Sequence, residues 1–398
     1  MNALTAGLAR LGEQRLARAA LTYLAEPGDP ALGALLQVSE PAEILTTIRT
    51  GRLPAAVAAL AAPQTRAALT RAAGRCRLRL AELPDDDHIA AACTGSVRLV
   101  CPGDPEWPSG LDELGQARPY ALWLRGQADL RLSSVRSVSM VGSRAATGYG
   151  AHVAGVIAAE LSERGWMIAS GGAYGIDAAV HRGVVVTGGS TTAVLACGVD
   201  HPYPAGHAEL FAAIAADGLV VSEWPPGSRP TRLRFLIRNR VIAALTQGTV
   251  VVEAGERSGA LNTARHAAEL SRPLMAVPGP VTSAQSAGCH RIIRDWGGTL
   301  VSSAADVLEM LRPIGESPVP YPDPGRPDVP RCRDDLDLDS ARVLDAFPAR
   351  AAIGPSTIAV KAGVELSTVT RCIGVLAGCG FIERCDQGWR LSRKAWQS

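Results

Sequence analysis

Lysine is nearly missing from this chain. Lys361 and Lys394 are the only two in 398 residues, so almost all of its 40 cationic side chains are arginine. In a sequence so rich in alanine, that bias reads as genome base composition rather than function. The formal net charge of +2 gives the molecule no global basic field, so a nucleic-acid partner would have to be met by local clustering. Aromatic residues make up only 4% of the chain. The nine cysteines (Cys76, Cys93, Cys101, Cys197, Cys289, Cys332, Cys372, Cys379 and Cys385) are odd in number, scattered, and include no CxxC pair. This argues against a disulfide frame and a zinc site and fits a reducing compartment.

Long apolar runs are absent too: nowhere do about 18 apolar residues follow one another. The opening MNALTAGLARLGEQRLARAA reads as an amphipathic helix with no signal-peptide core, so a cytoplasmic protein without membrane contact is expected. There is no Walker-type phosphate loop, no GxGxxG after the first strand of the central region, no GxSxG elbow and no HExxH. Nucleotide hydrolysis of the Walker kind, dinucleotide binding, serine hydrolysis and zinc proteolysis therefore have no motif to stand on. No metal and no cofactor is expected.

What remains is a globular chain, 47% hydrophobic and 20% charged, long enough for two or three domains. Residues 1–83 show short helical patterns broken by prolines and no strand-like alternation, which reads as an all-helical domain. Its arginines outnumber its acids, which reads first as a solvated helical face and otherwise as a weak nucleic-acid or partner surface. Residues 84–312 are expected to form an extended Rossmann-like domain. Strand-like runs at 97–101 and 121–124 would add an edge to it. Strands are then expected at 138–141, 166–169, 192–196, 219–222, 249–253, 274–277 and 299–301, with helices at 149–164, 208–216, 235–246, 260–270, 289–296 and 304–311. Apolar strands separated by helix-length crossovers mean a parallel sheet covered on both faces. Residues 313–330 hold seven prolines, so 313–335 is read as an extended linker. Residues 336–398 restart a fold. Helices at 340–347, 355–362 and 367–376, a turn at Gly363, and strands at 381–384 and 388–392 follow the order of a winged helix.

In an open parallel sheet, ligands meet the carboxyl ends of the strands. The first central strand ends VSMVGSRAATGYG, where Gly142 permits close backbone approach, Ser143 follows, and Arg144 offers a planar fork suited to phosphate. Alone, this also fits an ordinary βα turn with a surface arginine. The second strand ends SGGAYGID, in which Gly171 and Gly172 suit a backbone pressed against a ligand or a tight turn into a helix. The third ends CGVDHPYP; Asp200 and His201 lack a nucleophile partner, and a structural turn is the better reading. The fourth ends SEWPPGSRPTRLRFLIRNR. Here Arg229, Arg232, Arg234, Arg238 and Arg240 surround Phe235 and Asn239 with no acid from 228 to 240. Cations for a backbone and a ring for a base are what a single-strand binder needs. The fifth ends EAGERSGALNTARHA, where Ser258, Gly259, Asn262 and Thr263 fall at a helix start that can cradle an anion.

The ordered series VGSR, SGGAYGID, SEWPPGSRP with FLIRNRVIA, VVEAGERSGALNTARHA and AVPGP, over about 98–311, resembles the DNA-processing protein A (DprA/Smf) family. The resemblance implies a non-enzymatic protein that binds single-stranded DNA without sequence preference, loads the RecA recombinase onto it in natural transformation, and dimerises through the central domain. It also implies a helical amino-terminal domain of the SAM or helix-hairpin-helix kind and a winged-helix tail. Carried over by position, Gly142, Ser143 and Arg144 would meet a phosphate, and Gly171 and Gly172 would allow backbone approach. Arg232 and Phe235 would hold backbone and base, Arg238, Asn239 and Arg240 would build or support the pocket, and Ser258, Gly259, Asn262 and Thr263 would line its far side. Tyr174 stands where the family commonly has arginine, Leu236 replaces the proline of FPxRNR, and Cys289 and His290 replace threonine and asparagine. Two other readings stay open. One is a nucleotide-processing hydrolase acting through a carboxylate such as Glu253; the other is a double-strand DNA regulator working through the winged helix.

Overall fold

The computed structural model describes residues 12–93, 95–312, 336–348, 351–378, 380–385 and 388–392. The start of the first expected helix and the proline-rich 313–335 lie outside the described residues. The chain divides into two compact units, Met1–Ile314 and Gly315–Ser398.

The first unit begins with helices α1 (Glu13–Leu24), α2 (Pro30–Val38), α3 (Pro41–Thr50), α4 (Ala55–Leu60), α5 (Pro63–Arg77) and α6 (Asp86–Ala91). The prolines that interrupt the sequence pattern open α2, α3 and α5, where a missing N–H has no partner to lose. Asp29 caps α2, its carboxylate accepting from the Ala31 and Leu32 amides at 2.9 and 3.2 Å. These helices bury Leu21, Leu24, Leu32, Ile44 and Ile48 in the same core as Tyr120, Trp123, Leu195 and Phe211 of the following region. The helical segment and the sheet therefore share one apolar interior.

That sheet has nine strands: β1 (Val97–Val100), β2 (Leu122–Arg125), β3 (Ser137–Val141), β4 (Met167–Ser170), β5 (Thr191–Leu195), β6 (Leu219–Ser222), β7 (Thr249–Val251), β8 (Leu274–Ala276) and β9 (Thr299–Leu300). Their order is β1-β2-β6-β5-β4-β3-β7-β8-β9. The strands from β3 onward are mutually parallel, while β1 and β2 extend the β6 edge antiparallel. The chain steps outward from β3 to β6, then crosses back to place β7 against the other side of β3. That reversal makes the gap between β3 and β7 the natural crevice of the sheet.

Between and beside the strands run α7 (Leu130–Val135), α8 (Gly148–Glu163), α9 (Ile176–Val186), α10 (Ala208–Asp217), α11 (Arg232–Leu245), α12 (Ala260–Glu269), α13 (Ala287–Asp295) and α14 (Ala304–Leu311). One face of the sheet packs on α11, α12 and α13, the other on α8, α9 and α14. Helix α9 is absent from the sequence reading. Its IDAAVHRGVVV carries a glycine and three consecutive valines, poor helix formers by intrinsic propensity. Packing overrides propensity there: Gly183 lies against the backbone of Gly155 in α8, so close that a Cβ would overlap the Gly155 carbonyl.

The second unit holds α15 (Leu338–Asp345), α16 (Pro355–Ala362), α17 (Leu366–Gly378) and the antiparallel pair β10 (Ile382–Cys385) and β11 (Gly388–Leu391). Val343, Ile358, Val369, Cys372, Leu376 and Phe381 form its core. Gly363 ends α16 at φ +66°, a left-handed cap that turns the chain into α17.

Candidate nucleic-acid interface

The carboxyl ends of β3 and β7 are locked to each other. The Ser143 amide donates to the Glu253 carbonyl at 2.7 Å. The Glu253 carboxylate accepts from the Thr147 amide and hydroxyl at 2.9 and 2.5 Å. Thr147 in turn caps α8, accepting from the Gly150 amide at 3.0 Å. Gly142 sits so tightly between Ile176 and the Glu253 carbonyl that a side chain would collide with both. Gly175, at φ +79°, leaves no room for a Cβ against the carbonyls of Ser143 and Arg144. The loop from 142 to 147 is thus held rigid from below, and Arg144 projects from it exposed.

Opposite stands the first turn of α11, the crossover helix, capped by Thr231. Its Phe235 ring lies under the Arg144 guanidinium at 4.5 Å and against the Tyr203 ring at 5.7 Å. Loop, helix and the start of α12 enclose an open cleft of about 1000 Å3. Charged side chains on its walls are Arg144, Arg232, Arg238 and Arg257, set against Asp177. Arg144, Arg232 and Arg257 form no ion pair among the described residues. Arg238 and Asp177 form the floor. Burial pulls the Arg238 guanidinium down to about 10, with Asp177 opposing that shift and Arg144 adding to it. It remains a cation at neutral pH, donating to the Val194 carbonyl at 2.5 Å while its buried Nε finds no partner among the described residues. Burial likewise pushes the Asp177 carboxyl up against the pull of Arg238. The cleft is therefore a cationic trough with one aromatic wall and amide-bearing ends, suited to a polyanion that carries flat rings.

The family model described as DNA recombination-mediator protein A matches residues 98–312. A Mycobacterium tuberculosis protein bearing the DprA name is 41% identical over 383 residues, 94% of this chain and 93% of its own. This chain belongs to the DprA family. The DNA processing protein DprA of Streptococcus pneumoniae is 40% identical over 205 residues, 52% of this chain and 71% of that protein. An X-ray structure of that S. pneumoniae DprA superposes with a TM-score of 0.59 at 30% identity, covering 74% of this chain and 96% of the solved one.

In this chain, Gly142, Ser143, Arg144, Arg232, Phe235, Arg238, Asn239, Ser258, Gly259 and Thr263 all line the one cleft. Asn262 stands behind it, its carboxamide oxygen accepting from Asn239 Nδ2 at 3.2 Å. Three further expected positions stand outside the cleft lining. Gly171 leaves space for the buried Arg238 guanidinium, and Gly172, at φ +70°, for the Phe211 ring, and neither glycine is part of the cleft lining. Arg240 is buried, pairs twice with Glu223 at 2.6 Å and donates to the Ala117 carbonyl. Arg234 points away as well, bonded to Glu26 of the amino-terminal helices at 2.9 and 3.2 Å and stacked over Trp224. The arginine run thus lacks acids in sequence but not in space. Asp177, Tyr203 and Arg257 were not picked out as contacts. Tyr203 comes from the turn read as structural, and its signal was an aromatic residue at a strand's carboxyl end. Asp200 of that turn does hold backbone, accepting from the Gly227 amide at 2.9 Å.

Proposed function

We propose that this DprA-family chain is a sequence-independent single-strand DNA-binding mediator that protects the strand and delivers it to RecA, as in natural transformation. The observation that carries the reading is the Arg144–Phe235 stack at the mouth of a trough lined by Arg232 and Arg257, none of the three arginines ion-paired among the described residues. A guanidinium paired with a ring grips phosphate and base together, and base-on-ring stacking is indifferent to sequence. In this reading the protein works without catalysis, in the cytoplasm and as a homodimer through the sheet unit. Glu253, the carboxylate a hydrolase would use, has both oxygens engaged with Thr147 and lies outside the cleft lining.

The carboxy-terminal unit is read as a winged helix serving partners rather than a duplex groove. Arg371, the arginine of α17, sits 3.8 and 3.6 Å from Asp337 and Asp339, which leaves that helix little charge for phosphates. Mobility shifts with single- and double-stranded oligonucleotides, with and without RecA, test the whole proposal. Single-strand binding that survives deletion of 331–398 is the expected result. Duplex binding lost with that deletion, and no single-strand binding in the full chain, would overturn it.

A further inference from the structure

Aromatic residues are few here, with 7 tryptophans, 6 tyrosines and 4 phenylalanines, so an exposed ring is a notable use of one. Among the described residues, the aromatic side chains classed as exposed are Tyr149, Tyr174 and Tyr203, at 45%, 53% and 43%. All three follow the carboxyl ends of adjacent strands: Tyr149 after β3, Tyr174 after β4 and Tyr203 after β5. Burial of apolar area would favour scattering such rings inward, not collecting them on the one edge that holds the cleft. Tyr203 is accounted for by its contact with Phe235, and Tyr149 is tied by its hydroxyl to the Pro278 carbonyl at 2.7 Å.

Tyr174 has no such role, yet it is held firmly. Its ring meets the ring of His207 edge to face at 4.7 Å. His207 is buried, bonded to the Gly172 carbonyl at 3.1 Å and packed on Phe211. Ala173, beside Tyr174 in the loop, and Asp177, in the first turn of α9, line the cleft. The Tyr174 hydroxyl borders Gly206, three residues beyond Tyr203. Rings therefore continue from Phe235 through Tyr203, past the 203–207 turn, to Tyr174.

We propose that Tyr174 is a base-stacking platform that extends the trough beyond the Arg144–Phe235 grip and holds a further nucleobase of the same strand. The inference rests on the single-strand reading above. A stacking ring recognises the base and not the phosphate, and that sets the test. Binding of the full chain is measured by fluorescence anisotropy to an oligothymidylate and to an abasic deoxyribose-phosphate oligomer of equal length. Tyr174→Ala should weaken oligothymidylate binding about ten-fold with an unchanged salt slope, and Tyr174→Phe should restore it. The abasic oligomer should bind Tyr174→Ala and wild type equally. Equal losses on both ligands, or none on either, would overturn the assignment. Phe235→Ala run alongside separates the two levels of the argument. If it weakens binding while Tyr174→Ala does not, only the extension falls; if neither weakens it, the single-strand reading falls with it.

Discussion

Replacing Arg144 by alanine removes one of three cleft arginines that have no ion pair among the described residues, and it should leave the scaffold untouched. The guanidinium is exposed, and its contact is the Phe235 ring at 4.5 Å. The backbone beneath it is held by Glu253, Ile176 and Gly175 independently of the side chain. If Arg144, Arg232 and Arg257 each neutralise one phosphate, single-strand binding should vary with salt at a log–log slope of about −2.1, at roughly −0.7 per phosphate. Arg144→Ala should reduce the slope to about −1.4. Between about 50 and about 200 mM salt, wild type should then lose about 18-fold in affinity and the variant only about 7-fold. Phe235→Ala is the internal control. It removes stacking worth about 1–3 kcal/mol per base but no charge, so affinity should fall with the slope intact. Anisotropy titrations at four salt concentrations, with thermal melts to verify folding, are sufficient. A folded Arg144→Ala protein with the wild-type slope would refute the placement of a phosphate at that guanidinium.

Two further outcomes concern the scaffold. Gly183→Ala should destabilise the protein even though alanine favours helices by about 1 kcal/mol, because the added carbon overlaps the Gly155 carbonyl and overpacking costs about 1–3 kcal/mol; a raised melting temperature would contradict the close α8–α9 contact. His181 is fully buried, and burial lowers its affinity for a proton to a pKa of about 3, with His207 and Arg238 adding to the shift. The unfolded chain takes that proton near 6.5 and the folded one does not, so this contribution to stability is whole above about pH 6.5 and is lost as pH falls toward 3. Denaturant midpoints between about pH 5 and 6.5 should fall with acid in wild type and flatten in His181→Leu; parallel slopes in the two proteins would refute it.

Much of the fold was legible because its signals are local. A run such as VSMV stopped by a glycine, a helix-length apolar pattern, and then another strand can only be a βα unit, and its repetition leaves a parallel sheet as the arrangement that buries both faces. Helix α9 escaped because its valines and glycine are poor helix formers by propensity, while what holds it is tertiary: Ile176, Val180 and Val184 buried in the core and Gly183 packed on Gly155 of α8. The cleft was legible in outline for the same reason as the sheet: strand ends in a parallel sheet all emerge on one edge, so GSR, the arginine run and SGALNT had to meet there. Tyr203 was missed because nothing in CGVDHPYP says which side of the turn faces Phe235.

By itself, the amino-acid order determined that arginines and an aromatic would gather at that edge. It could not determine which arginines would stay free to bind. Arg234, Arg238 and Arg240 are compensated by Glu26, Asp177 and Glu223, the first of them 208 residues from its partner. Among the described residues, only Arg232 of the cleft-lining cations in that run escapes. Coulomb attraction acts over a few ångströms through space. A run without acids is therefore a cationic surface only where the folded chain brings no carboxylate beside it, and that choice belongs to the tertiary structure alone.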